Sequence, residues 1–177
     1  MIVEQSADTM EAIARHLIGV FRAHGKLLLC GCGGSAADTQ HIAGELVNRF
    51  RFDRPALPAV ALTTDASVLT CVANDIAFES VFSRQVEALG RQGDALLAIS
   101  TSGRSPVVLR ALETARTIGM TAIGFTGVGG DVPMRPLCDF LLIAPTPDTA
   151  RIQECHQFCY HVICAEIESG LFPDGAK

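Results

Sequence analysis

Apolar residues recur along this chain with two different periods. Between residues 8 and 23, Met10, Ile13, Ala14, Leu17, Ile18 and Phe21 share one face at helical spacing, which predicts an amphipathic helix capped by Gly25. A short continuous apolar run follows at 26–31 (KLLLCG), then a glycine-rich turn, then a helix over residues 35–50 with Ser35 as its N-cap. Runs at 57–62 (LPAVAL), 94–100 (DALLAIS), 121–126 (TAIGFT) and 139–145 (DFLLIAP) read as further strands. Residues 65–90 read as a helical pair broken near ANDIAF. Residues 105–119 read as a helix with Ser105 at its N-cap, Pro106 at its first position and Gly119 at its end.

Continuous apolar strands separated by helices signal a parallel sheet covered on both faces. The predicted fold class is therefore α/β, a three-layer sandwich on a five-stranded parallel sheet. It forms one domain over 1–177, with an N-terminal helix (1–25), a core (26–145) and a C-terminal helix (149–172). That last helix has Ile152, Cys155, Phe158, Val162 and Ile163 spread round it, so it needs neighbours on most sides and predicts an oligomer.

Composition narrows the chemistry. A length of 177 residues suits a single domain. The net charge of -5 excludes a general nucleic-acid binder, which needs a basic stripe to neutralise phosphates. Lys26 and Lys177 are the only lysines, so imine chemistry has almost no nucleophile to use. The seven cysteines lack the paired spacing of a structural zinc site and read as reduced core thiols. The N-terminus is acidic without the apolar centre of a signal peptide, and no run is long enough to span a membrane. A cytoplasmic protein with no membrane partner is expected.

In an open parallel sheet, ligands bind outside the carboxyl ends of the strands. Two loops fall there, GCGGS after the first strand and STSGRS after the third. The second offers Ser100, Thr101, Ser102 and Ser105 beside a helix N-terminus. Hydroxyls, free backbone N–H groups and the helix dipole together hold a phosphate monoester without any lysine. A lone serine would simply cap a turn, but four hydroxyls facing a second glycine loop favour phosphate. The first loop is no nucleotide fingerprint, since it lacks the P-loop lysine and the dinucleotide spacing.

His41 and Glu45 lie four apart on one helix face next to that loop, and Gln153, His156 and His161 interrupt the last apolar helix. Singly, such a glutamate is usually solvated and such a histidine is usually a core side chain. Together, near a bound sugar phosphate, a base and an acid supply what aldose/ketose interconversion needs.

The segments GCGGSAADTQHIAGEL, RPALPAVALTTD, ANDIAFESVFSRQVEALGRQGD, ISTSGRS, GFTG and ARIQECHQFCYHVIC together resemble the sugar isomerase (SIS) domain family, most closely its phosphoheptose isomerase branch, over residues 26–172. The resemblance implies a flavodoxin-like sheet in a homotetramer. It also implies conversion of D-sedoheptulose 7-phosphate to D-glycero-D-manno-heptose 7-phosphate, the first step towards the nucleotide-activated heptose of lipopolysaccharide and related glycans. Carried over by motif, Glu45 is the base acting through an enediol and His161 its acid/base partner. Ser100, Thr101, Ser102 and Ser105 hold the phosphate, while Cys32, Gly33, Gly34, Ser35, Asn74, Asp75 and Gln153, with Glu45 itself, complete the sugar pocket. The family also implies one zinc per subunit at His41, Glu45, Gln153 and His161. Cys32 stands where the family usually has Asn, and the chain begins about one helix late against the family pattern.

Two alternatives belong with this reading. One is a non-catalytic SIS protein that associates with the replication initiator DnaA, a group that shares most of these motifs but lacks counterparts of Glu45 and His161. The other is an isomerase or regulator for a different sugar phosphate. Helix geometry adds one further expectation. Gln153 and His161 are eight residues apart, ~12 Å along one helix, so a site that uses both is expected to draw one of them, His161, from a neighbouring subunit.

Overall fold

The computed structural model describes residues 2–173 and Gly175, with side chains from Ser6 onward. Five strands form the sheet: β1 (Leu27–Gly31), β2 (Ala59–Ala61), β3 (Ala95–Ile99), β4 (Thr121–Gly127) and β5 (Phe140–Ala144). Every neighbouring pair is parallel, and the order is β2-β1-β3-β4-β5, the flavodoxin-like arrangement. The helices are α1 (Ile2–Arg22), α2 (Gly34–Val47), α3 (Ala66–Asp75), α4 (Val81–Leu89), α5 (Pro106–Ile118), α6 (Asp131–Met134) and α7 (Thr149–Leu171).

Alternation along each strand assigns the two cores. Leu27, Leu29, Leu97, Ile99, Ile123 and Phe125 point to the face covered by α1, α2 and α7, where Ile13, Leu17, Leu46 and Ile163 meet them. Their sequence neighbours Leu28, Cys30, Leu96, Ala98 and Ala122 point to the other face, under α4 and α5. Both faces of the sheet are buried, which is why the strands read as unbroken apolar runs rather than as alternating ones.

The strand order also fixes where a ligand can enter. From β1 the chain crosses to β2 at one side, and from there to β3 on the other side of β1. The connections leaving the carboxyl ends of β1 and β3 therefore diverge and leave a crevice between them. Both special loops border that crevice.

Several local expectations are corrected. Ser35 is not the N-cap of α2: Gly33 is, with a left-handed φ of 61°, and Ser35 is buried inside the first turn. The first helix stops at Arg22, where His24 takes the left-handed backbone (φ 60°) and the Gly25 N–H returns to the Val20 carbonyl at 2.9 Å. β2 begins only at Ala59, because Pro58 has no N–H to give the ladder. Cys32 and Cys71 are exposed rather than core thiols, while Cys30, Cys159 and Cys164 are buried as expected, and all seven cysteines are free. The short α6 and the 3₁₀ turns at Phe78–Ser80 and Arg135–Leu137 were too brief to leave a periodic signal.

Candidate active site

One pocket of about 340 Å³ unites the two loops. Cys32, Gly33, Gly34 and Ser35 line it from the β1–α2 turn, and Ser100, Thr101, Ser102 and Ser105 from the β3–α5 turn. Thr149 and Gln153 close it from the first turns of α7. The N-terminal ends of α2, α5 and α7 all border this space, so their unpaired N–H groups and positive dipole ends favour an anion there. Gly34 is needed for its smallness, since a Cβ at that position would run into the Gln153 amide. Among the described residues no lysine or arginine lines the pocket, in keeping with an anion held by neutral donors.

A second group of polar side chains lies further along the same two helices. The ligand atoms of His41, Glu45 and His161 all fall within 4.8 Å of one another. His41 Nε2 is 3.0 Å from Glu45 Oε1, and the Tyr160 hydroxyl is 2.8 Å from His41 Nδ1. Phe50 stacks on His161 with ring centroids 5.5 Å apart and planes 22° from parallel, which fixes the plane of that imidazole. Burial and the neighbouring His41 hold His161 below the usual histidine value, with Glu45 acting in opposition. His161 is therefore neutral at neutral pH and can give or take a proton. Two imidazoles and a carboxylate are also a donor set that fits a divalent cation.

The pocket and the cluster belong to one groove, because α2 and α7 run side by side in the same direction. Gly34 meets Gln153 at one end, His41 meets Tyr160 further along, and the Phe50 N–H meets Glu168 beyond the C-terminus of α2. From Ser35 to His41 is ~9 Å of helix, and side chains tilt back towards the N-terminus. His41 and Glu45 therefore lean towards the pocket that the two loops line.

Arg54 and Glu168 fix the far end of that groove. Both side chains are 1% exposed and pair at 3.0 Å. Arg54 also donates to the Glu45 carbonyl at 2.7 Å and the Leu46 carbonyl at 2.7 Å, and so caps α2 just beneath the glutamate. Glu168 accepts from the Phe50 N–H at 3.0 Å and the Arg51 N–H at 2.8 Å.

The sequence-predicted residues thus fall into three places. Both loops and Gln153 gather in the pocket, whereas His41, Glu45 and His161 gather in the cluster. Asn74 and Asp75 end α3, bonded to each other at 2.7 Å, and do not line the pocket. His156 is fully buried, with Nε2 on the Thr126 carbonyl at 3.1 Å, and is a core side chain. The subunit-crossing expectation for His161 is corrected, because the same chain brings it to Glu45. Gln153 and His161 are far apart on α7 as the helix rise requires, but they serve different stations along α2. Sequence reasoning missed Asp38, Arg54, Tyr160 and Glu168. Only Tyr160 left a signal, as the single tyrosine of the chain, beside His161.

Comparison with known proteins agrees with this geometry. The SIS domain family model matches residues 1–127. The phosphoheptose isomerase of Burkholderia pseudomallei is 53% identical over 169 residues, covering 96% of this chain and 85% of the relative. Among solved structures, the phosphoheptose isomerase of Neisseria gonorrhoeae superposes with a TM-score of 0.84 at 44% identity, covering 94% of this chain and 91% of that one. The phosphoheptose isomerase of Francisella tularensis gives 0.85 at 35% identity, covering 94% and 92%. The family model over residues 1–127, together with relatives at this identity and coverage, places the chain in the SIS domain family, among the phosphoheptose isomerases.

Proposed function

We propose that this protein interconverts D-sedoheptulose 7-phosphate and D-glycero-D-manno-heptose 7-phosphate through an enediol. The observation that carries the reading is the groove itself, with hydroxyl and N–H donors at one end and a carboxylate with a neutral histidine along it. Ser100, Thr101, Ser102 and Ser105 bind the phosphate with the helix N-termini, and the sugar chain extends along α2 past Gly34 and Gln153. Glu45 takes the proton from C1, and the C1–H electron pair becomes the C1=C2 bond as the C2 oxygen gains a proton. Return of the proton to C2 and loss of the O1 proton regenerate a carbonyl at C1. His161 moves the oxygen-bound protons, and its neutral state suits it to both directions.

A zinc ion belongs to the same proposal, at the His41–Glu45–His161 cluster; Gln153, the further ligand that the family resemblance implies, stands at the other station along α2. When bound, it would supply Lewis-acid polarisation of the substrate carbonyl and would occupy the lone pairs of the residues that hold it, so the proton transfers assigned to Glu45 and His161 are those of the cation-free groups. A homotetramer is part of the reading as well, supported by the apolar surface left open at Ile76, Phe78, Val128, Val132 and Phe158. The cytoplasm is its place, since a phosphorylated sugar does not cross a lipid bilayer unaided. The DnaA-associating alternative lacks the Glu45 and His161 counterparts that meet here, so the catalytic reading stands.

The test is direct assay on a panel of phosphorylated ketoses of different chain length. Turnover of the seven-carbon ketose well above that of shorter ones is expected. Equal or better turnover of a five- or six-carbon ketose, or none at all, would overturn the assignment.

A further inference from the structure

Behind the His41–Glu45–His161 cluster sits a polar pair that no step above uses. Tyr160 is buried, packed edge-on against His41 with ring centroids 5.4 Å apart, and its hydroxyl meets His41 Nδ1 at 2.8 Å. Asp38 lies one turn before His41 on α2. Burial raises its carboxyl, while His41 and the same Tyr160 hydroxyl pull it back, so the phenol is within reach of both groups. Asp38 Oδ2 is nonetheless buried with no hydrogen bond among the described residues. A buried oxygen without a partner calls for an explanation.

The explanation follows from counting hydrogens. A phenol has one to give, and here two acceptors face it. When Tyr160 donates to His41 Nδ1, the neutral ring carries its own proton on Nε2 and donates it to Glu45. When Tyr160 turns to Asp38, the ring carries its proton on Nδ1 and donates it to the phenol oxygen. His41 Nε2 then presents a lone pair towards Glu45 and His161. Only the second arrangement lets Nε2 ligate a cation, because a ligating histidine gives its other N–H to a supporting acceptor.

We propose that Tyr160, backed by Asp38, is a positioning residue that sets which ring nitrogen of His41 carries the proton. The role rests on the reading of His41 as a cation ligand given above. It assigns the orphaned Asp38 oxygen a function, as the acceptor that releases Nδ1 from the phenol.

The test combines nitrogen NMR of ¹⁵N-histidine protein with zinc titration by calorimetry, the His41 signals being identified by their loss in His41→Ala. In cation-free protein, Tyr160→Phe is expected to move Nδ1 to the resonance of an unbonded ring nitrogen, and Asp38→Ala to hold the ring in its Nε2–H form. Each variant is expected to bind zinc ~10–100-fold more weakly than wild type, as loss of a ligand's supporting partner does. Because Asp38 acts through Tyr160, the double variant should fall no further than Tyr160→Phe alone. Unmoved His41 resonances in both single variants would overturn the proposal. So would additive zinc losses accompanied by lower melting temperatures, the mark of two independent packing roles. If wild-type protein takes no zinc, the metal reading fails, and the cation-free resonances still decide whether Tyr160 governs the ring.

Discussion

Replacing Glu168 by Gln tests whether the buried Arg54–Glu168 pair holds the groove in shape. The change is nearly isosteric, but it leaves the Arg54 guanidinium, 1% exposed, without its counter-charge. It also turns an amide towards one of the two backbone N–H groups that the carboxylate now accepts, those of Phe50 and Arg51. Removing one partner of a buried pair costs ~3–5 kcal/mol, a large share of the ~5–15 kcal/mol that holds a domain folded. With a urea dependence of ~2 kcal/mol per molar, the unfolding midpoint should drop by ~2 M. Protein concentration must be held constant across the series, since subunit association contributes to apparent stability. Simple buried ion pairs often tolerate replacement of both partners by apolar residues. Here Arg54→Met with Glu168→Met should not recover stability, because it strips partners from the carbonyls of Glu45 and Leu46 as well as from the two N–H groups. A cost below ~1 kcal/mol for Glu168→Gln, or wild-type stability in the double variant, would refute the clamp.

Four further outcomes are expected. Glu45→Gln should keep the fold and sugar-phosphate affinity but lose ~10²–10⁴ in turnover, and near-normal turnover would remove Glu45 as the base; because one chain supplies both residues, oligomers mixed from Glu45→Gln and His161→Ala chains should stay inactive, and regained activity would reinstate a site shared between subunits. Cys32→Asn, which places an amide at the pocket rim, should tighten substrate binding by up to ~1 kcal/mol, measured by calorimetry, whereas unchanged or weaker binding would show that the thiol has its own accommodation. Burial lowers His156 to about 4, against the opposing hydrogen bond to the Thr126 carbonyl, so the unfolded chain takes up this proton near pH ~6.5 and the folded one does not until about pH 4. Stability tied to His156 is therefore complete above pH ~6.5 and is lost as pH falls towards about 4, by ~3 kcal/mol in all; denaturation of wild type and His156→Met across that window should give converging curves, and parallel curves would disprove it.

The parts of the molecule that could be read from its sequence are those set by local pattern. Unbroken apolar runs such as LLLCG and ALLAI gave the strands and their parallel arrangement, because burial on both faces removes the polar alternation. The two loops were legible because glycine and hydroxyl clusters mark strand ends. The groove was not, since it depends on α2 and α7 lying side by side, 119 residues apart at the His41–Tyr160 contact. That separation explains the error over His161. Helix rise alone showed that Gln153 and His161 cannot share a point, but it gave no hint that α2 runs parallel and offers each a separate partner. Arg54 and Glu168 were invisible for a related reason, as both look like ordinary surface charges until the fold closes over them. Ser35 failed as a cap because Gly33, two residues earlier, takes a positive φ of 61° that a glycine tolerates and starts the helix there.

The parallel course of α2 and α7 makes the groove a measuring rod. On the proposed function, its zero mark is the loop pocket that holds the phosphate, and its reading point is the cluster around Glu45, with helix between them. Such a rod can only be recalibrated in steps, because adding or deleting one helical residue turns every later side chain by ~100° and swings Glu45 or His161 out of line. Moving the reading point cleanly requires about a full turn in both helices at once. Divergence towards shorter or longer sugars is thus far easier through the loops that place the phosphate than through the helices that carry the chemistry. Preference for chain length, on this fold, is a property of where the substrate is anchored rather than of how its reactive end is recognised.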